Sequence, residues 1–405
     1  MRDFALVWTG MSVSLLGDGI YLVAIAWQVY SIDNRPTALA LVGVAWMIPQ
    51  VLLLLLSGAV SDRFDRRYVL MASDVVRGIA IGALGVLSVT HSIRLWEVFA
   101  LVAVYGAGAA VFTPSFTGIV RDIVPHELLL EANSLGQFVR PIAVRFLGPA
   151  LGGVLIGWLG VGSAFLFDAG SFAFSATAFL LVRKRLPRVA RREREPLRRD
   201  IAAGISYVRS QTWLWTTMIA VTITNLFFLG PVYVLMPYVV KNSLHGGAQG
   251  LGLVFAAGGV GAIAASLVLG QRSLPGRPLA LVYFAWSIST LALVGYALAG
   301  HVWQAMLVSF VSVGGLVGGG VVWTTLLQRL VPDGMIGRVS SLDWLLTLGL
   351  TPVSYALTGP VSDLLGVKPT LVAAGLASTA VLVVVLLLVP SLRTTEAKHE
   401  PAIAA

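Results

Sequence analysis

Asp18 stands about thirteen residues into an apolar run that begins near residue 5. A carboxylate at that depth is costly in hydrocarbon, so it points to function. Ser14, Asp18, Tyr21 and Gln28 recur at i, i+4, i+7 and i+14. A helix carries such residues on one polar face, turned toward a water-filled cavity rather than lipid. A second ionisable group at similar depth, Arg145, lies about eleven residues into the apolar segment 134–159. A carboxylate whose cationic neighbour changes during a conformational cycle takes up and releases a proton, and Asp18 with Arg145 is the pair assigned to proton coupling. The same two residues also admit a static structural ion pair. Arg140, about six residues in, is within snorkelling reach of the surface. Tyr105, Phe112, Phe138 and Phe228 lie in segments placed to line a cavity, where aromatic faces suit bulky apolar or cationic ligands. The same residue types also serve as packing.

The remaining chemistry is thin. The chain has no cysteine, which excludes disulfides and thiolate ligands. Its histidines, His91, His126, His245, His301 and His399, fall in loops, at segment edges or in the tail. There is no His-Glu-x-x-His, no Gly-x-Ser-x-Gly and no phosphate-binding Gly-x-x-x-x-Gly-Lys-Ser/Thr pattern. No metal, cofactor or enzymatic activity is expected. Without an ATP-binding motif, any transport must run on an ion gradient or on the substrate's own.

The elements that must position these residues are membrane spans. The 405 residues are 57% hydrophobic and 12% charged, with a mean hydropathy of +0.87, whereas a soluble domain carries about 25% charged residues. At about 20 residues per span, twelve segments are expected, at roughly 5–30, 38–60, 68–89, 95–119, 134–159, 163–182, 213–238, 250–270, 278–299, 302–327, 339–359 and 369–389. The net charge of +9 follows this topology and not a nucleic-acid surface. Of 28 Lys and Arg residues, 22 fall on the side of the termini and only Arg35, Arg94, Lys241 and Lys368 on the other. That bias places both termini in the cytoplasm. The opening Met1-Arg2-Asp3-Phe4 leads into a retained first span with no cleavage site.

A basic run from Arg183 to Asp200 separates two six-span halves. It reads either as a solvated linker or as a segment that attracts anionic lipid, and Ile201–Val208 after it fits a short interfacial helix. The expected organisation is a first bundle at 1–182, a linker at 183–212, a second bundle at 213–390 and a cytoplasmic tail at 391–405. Val124-Pro125 with Ser134-Leu135 recurs as Val331-Pro332 with Ser341-Leu342 at an offset of 207. The same offset carries Asp18 onto Asn225, which is expected beside the central cavity. Six-span halves of this kind are what parallel transporter repeats look like.

Two motifs identify a family. Gly58-Ala59-Val60-Ser61-Asp62-Arg63-Phe64-Asp65-Arg66-Arg67, wedged between the second and third segments, resembles the signature loop of the major facilitator superfamily. Gly148-Pro149-Ala150-Leu151-Gly152-Gly153 in the fifth segment resembles the latter half of the antiporter motif of its drug-exporting branch, with Val144 replacing one upstream glycine. Gly17-Asp18-Gly19 and Pro125-x-Glu127 to Glu131-Ala132-Asn133-Ser134-Leu135 are most similar to the macrolide-efflux and enterobactin-exporter branch. Asp65 replaces the glycine usual in the broader family's loop.

The resemblance implies an all-α fold of twelve transmembrane helices in two pseudo-symmetric six-helix bundles. It implies a cytoplasmic latch at Gly58, Asp62, Arg63, Arg66 and Arg67. Asp74, Arg77 and Asp343, read as shallow on the same side, are expected to join that latch, and Asp168 and Glu97 are expected to be solvated near the outer surface. The implied function is proton-coupled export of small amphipathic molecules from the bacterial cytoplasmic membrane. Protons and membrane lipids are then the other partners, and the working unit is a monomer. Two other exporters of the same fold stay open, one for a siderophore or secreted metabolite and one for lysophospholipids. A receptor or partner protein with a transporter fold is the reading from another class.

Overall fold

The computed structural model describes residues 2–124, 128, 139–182, 197–271 and 274–394, without the side chains of 54–56, 58–63, 113, 114, 121, 197–201, 333 and 394. All regular structure among them is helical. In lipid this follows from the chain's apolar runs, because a helix satisfies every backbone N–H and C=O within its own segment. The first bundle holds α1 (Arg2–Ile32), α2 (Pro36–Arg63), α3 (Arg66–Val89), α4 (Leu95–Ile123), α5 (Pro141–Leu159) and α6 (Val161–Leu180). Helix α7 (Leu197–Ser210) follows the basic run and packs on the second bundle, with Gly204 against Arg338 and Leu342. The second bundle comprises α8 (Thr212–Ser243), α9 (Gly247–Gly270), α10 (Pro278–Leu298), α11 (Val302–Leu330), α12 (Asp333–Gly349), α13 (Thr351–Leu365) and α14 (Val367–Leu388).

Prolines shape several of these helices by removing a backbone donor. Helix α5 opens with a wide π turn over Pro141–Leu147 before tightening at Gly148. Helix α8 does the same at Pro231–Leu235 and again at Val239–Ser243. The expected eleventh span, 339–359, is a broken helix. The chain leaves α12 at Leu350 and restarts as α13 with Pro352 in its first turn. Neither piece alone is long enough to cross a membrane, so eleven unbroken helices among the described residues meet the length and apolarity of a span.

The bundles meet along two seams, α2 against α13 and α5 against α9. At the second seam, small residues let the helix axes close up. A methyl group added at Gly252 would stand 2.5 Å from the Pro149 carbonyl oxygen, and one at Gly153 would stand 3.1 Å from the Gly252 Cα. At the end remote from the termini, side chains tie the bundles together. The Tyr30 hydroxyl donates to the Val234 carbonyl at 2.6 Å, Asn34 donates to Asn242 at 2.7 Å, and Thr37 donates to Asp363 at 2.5 Å. The Lys241 ammonium donates to the Tyr30 carbonyl and lies over the Trp27 ring.

The α5–α9 seam makes a clear prediction. Gly252→Val should lower the thermal midpoint of the detergent-solubilised protein by an amount equivalent to about 1–3 kcal/mol of overpacking. Gly170→Ala, where an added methyl meets open space on α6, should leave it unchanged or raise it by up to about 1 kcal/mol. Equal midpoints for the Gly252 variant and the parent would show that the seam is not close-packed.

Candidate functional site

Three carboxylates and one guanidinium meet in the middle of the first bundle. Asp18 is near the centre of the 31-residue α1 and accepts a 2.7 Å hydrogen bond from the Tyr105 hydroxyl on α4. Asp168 on α6 is 0% exposed, and the Ser171 hydroxyl, one turn on, donates to its Oδ1 at 3.2 Å. Asp74 on α3 is also 0% exposed and is ion-paired with Arg77, three residues on and 3% exposed. The Arg77 guanidinium is stacked between Phe112, 4.3 Å away, and Phe172, 4.4 Å away. Two ring faces therefore replace part of its lost hydration. Tyr21 closes the group against Tyr105, with ring centroids 4.9 Å apart.

Local sequence explains the convergence. At Gly17 a methyl would lie 2.2 Å from Asp168 Oδ1 and 2.3 Å from Ser171 Oγ, so glycine lets these α6 side chains lie against α1 without shifting. On the other flank, Gly19 meets α5, where a methyl at Gly148 would stand 2.6 Å from the Gly19 Cα. Gly152 faces Ile20 of α1, while Gly153 faces α9. The Gly-Pro-x-x-Gly-Gly stretch thus touches the helix that carries Asp18 on one side and the opposite bundle on the other.

Several expected positions lie elsewhere. Asp74 and Arg77 are paired with each other well inside α3, because that helix starts at Arg66 and places them two to three turns in. Asp168 is buried rather than solvated. The polar face of α1 turns into its own bundle, with Tyr21 on Tyr105 and Gln28 accepting from Ser88 at 2.6 Å. Ser14 is buried as well. Tyr105 and Phe112 belong to the carboxylate cluster. Among the described residues no hydrogen bond or ion pair joins Arg145 to Asp18, and the Arg145 backbone carbonyl faces Gly259 of α9. Around the signature loop, Arg66 pairs with Asp122 at 2.5 Å, Arg67 donates to the Leu180 carbonyl, and Asp65 caps α3 by accepting from the Arg67 N–H at 3.0 Å. Phe138 and the side chains at Gly58, Asp62 and Arg63 lie outside the described residues.

Asn225 and Phe228 line a pocket in the second bundle, together with Asp343 and three tryptophans. Asn225 donates to the Thr347 carbonyl at 3.3 Å. Asp343 therefore faces a cavity and not a surface latch. The sequence places Asn225 and Phe228 at a cavity, but sequence reasoning missed Asp343 as part of this pocket and Asp168 as part of the cluster. For Asp168 a signal existed, since Asp168, Ser171 and Ser175 form a polar i, i+3, i+7 stripe on an apolar helix.

Residues 1–404 match the family model described as transmembrane secretion effector. The multidrug efflux pump Tap of Mycolicibacterium fortuitum is 25% identical over 398 residues, covering 95% of each chain. Macrolide efflux protein A of Streptococcus pyogenes is 20% identical over 375 residues, covering 90% of each. Among solved structures, a bacterial homologue of the iron transporter ferroportin in an inward-facing state superposes with a TM-score of 0.72 at 18% identity, covering 95% of this chain and 98% of that one. The nucleoside transporter NupG gives 0.74 at 10% identity, covering 96% and 99%. At such identities these two structures establish the major facilitator fold.

The buried Asp74–Arg77 pair yields a stability test. Arg77→Met alone strands a carboxylate and should cost about 3–5 kcal/mol, read as lost folded yield and a lower thermal midpoint. Adding Asp74→Asn should restore most of that loss. A double variant no better than the single one would show that the pair is not the energetic unit.

Proposed function

We propose an export function for this chain, which belongs to the transmembrane secretion effector family of the major facilitator superfamily. It is a transporter and not an enzyme. In this reading it lies in the bacterial cytoplasmic membrane as a monomer, and α12 with α13 forms one broken crossing that makes twelve. The arginine-rich loops then face the cytoplasm with both termini. It carries small amphipathic molecules outward in exchange for protons, by alternating access. The relatives named as multidrug and macrolide efflux pumps support that direction and that substrate breadth.

The observation that carries proton coupling is the charge balance of the first-bundle cluster. Asp18, Asp74 and Asp168 share one guanidinium, and Arg77 already pairs with Asp74. The excess negative charge around Asp18 and Asp168 has no described cationic partner, and protons are the counter-charge a membrane interior can supply. Asp18 has the Tyr105 hydroxyl as its hydrogen-bond partner and lies on a helix in van der Waals contact with α5. Uptake of a proton there changes the charge that α1 carries. Because α5 touches both α1 and α9, that change is felt at the seam between the bundles. A proton entering from outside favours release of substrate, and its loss to the cytoplasm resets the carrier. The ties at the end remote from the termini are the contacts that must break when the carrier opens outward.

Two measurements test this reading. In proteoliposomes, a panel of lipophilic drugs, a siderophore and a lysophospholipid should include at least one drug that triggers proton flux. Asp18→Asn should reduce that flux to the level of empty liposomes, and an Asp18→Asn protein with full proton-coupled efflux would remove the assignment. Flux with the siderophore or the lipid alone would redirect the substrate class. For topology, the cysteine-free chain allows single labels. A cysteine replacing Ser92 should react with a membrane-impermeant maleimide on intact cells, and one replacing Arg393 only after permeabilisation. The reverse pattern would invert the orientation.

A further inference from the structure

The second bundle encloses a pocket of about 240 Å³, bounded by α8, α10, α11, α12 and α14. Four aromatic side chains, Phe228, Trp286, Trp323 and Trp344, are among the residues that line it. Its one ionisable lining residue is Asp343. Two of the indoles, Trp286 and Trp323, are held in place before any ligand arrives. Trp286 donates its indole N–H to the Leu316 carbonyl at 3.3 Å, and Trp323 donates to Asp343 Oδ2 at 3.3 Å. Trp323 also packs against Trp286 and Trp213, with centroids 6.3 and 5.8 Å apart. Trp344 remains 64% exposed.

The polar atoms here are unevenly satisfied. Thr224 is 5% exposed and Ser289 1%, both line the pocket, and neither hydroxyl has a hydrogen-bond partner among the described residues. Among those residues no cation pairs with Asp343 either. Two buried hydroxyls without partners, and a carboxylate held by a single 3.3 Å indole hydrogen bond, leave polar groups for a ligand to satisfy.

We infer that this pocket is a binding site for a monovalent organic cation, with Asp343 as its counter-ion and the tryptophan faces as its cage. An anionic ligand would meet the Asp343 charge at close range. A neutral one would leave Asp343 with the Trp323 N–H alone among the described residues. A metal ion would need several oxygen or nitrogen ligands, and no cluster of three or more His, Cys, Asp or Glu exists among the described residues. A quaternary or tertiary ammonium gains from both features present, through the carboxylate and through cation–π contact. The volume is below the roughly 300–1,000 Å³ that encloses a whole drug-sized ligand. The pocket therefore takes the charged head of an amphiphile, with Trp344 placed to cover the part that projects. This substrate class rests on the export reading only for the direction of movement, since binding needs no gradient.

The test is equilibrium binding to the purified full chain in nanodiscs, using phenyltrimethylammonium and its uncharged isostere tert-butylbenzene. The parent protein should bind the cation more tightly. Asp343→Asn should weaken cation binding by about 10- to 100-fold while leaving the isostere unchanged, and Asp343→Glu should recover most of the loss. If Asp343→Asn does not fold, Trp344→Ala, at an exposed position, should weaken the cation selectively. Equal affinity for cation and isostere, or cation affinity insensitive to these variants, would overturn the inference. Cation binding without efflux in proteoliposomes would sink the export reading and leave the site standing. Efflux without cation binding would do the opposite.

Discussion

Charge held away from water is the constraint on which the rest of the first bundle depends. A carboxylate in hydrocarbon must be paired, hydrogen-bonded or protonated, and each option demands that helices come close. Asp74 has Arg77 within its own helix. Arg77 in turn needs Phe112 and Phe172 from α4 and α6 on its two faces. Asp18 needs the Tyr105 hydroxyl from α4, and the Asp168 side chain lies against α1 where residue 17 is glycine. Four helices are thus drawn to one polar centre, where apolar packing alone would permit many arrangements. Between helices in lipid there is little hydrophobic driving force, so such polar contacts and small-residue seams carry much of the specificity.

The broad architecture was legible because lipid leaves few solutions. Apolar segment lengths and arginine-rich loops gave the spans, and eleven of the twelve expected segments correspond to unbroken helices. The exception is instructive. Hydropathy sees 339–359 as one segment, but Pro352 cannot donate to the preceding turn and the helix restarts at Thr351. Individual side chains were harder to place. Depth counted from an estimated boundary put Asp74 and Arg77 near the surface, whereas Asp65 caps α3 and starts the helix just after it. A polar stripe on α1 marks one face of the helix, but periodicity does not say which neighbour that face meets. Tyr21 and Gln28 meet α4 and α3 of their own bundle. The tryptophan pocket draws on five helices far apart in sequence, and no local pattern encodes such a convergence.

The two halves are related in fold yet differ in chemistry. The first concentrates carboxylates and tyrosines in a close-packed centre. The second holds tryptophans around an open space with a single carboxylate. A repeat offset that carries Asp18 onto Asn225 marks this divergence, since the charged position of one half is a neutral amide in the other. If the first centre handles protons and the second the substrate, the two ligands never compete for one carboxylate, and their coupling must be mechanical.

The structure offers one physical route for that coupling. Helix α5 touches α1 through Gly148 and Gly152 and touches α9 through Gly153, with backbone atoms in direct contact on both sides. Helices packed backbone to backbone transmit displacement with little side-chain slack, because close-packed interfaces switch between arrangements and do not deform continuously. The π turn at Pro141–Leu147 sits at the start of the same helix, where a widened turn can change register at low cost. A charge change at Asp18 therefore acts on a rigid seam next to a deformable turn. Under the proposed proton antiport, that arrangement would turn a local protonation into a relative movement of the two bundles, without any residue that binds both proton and substrate.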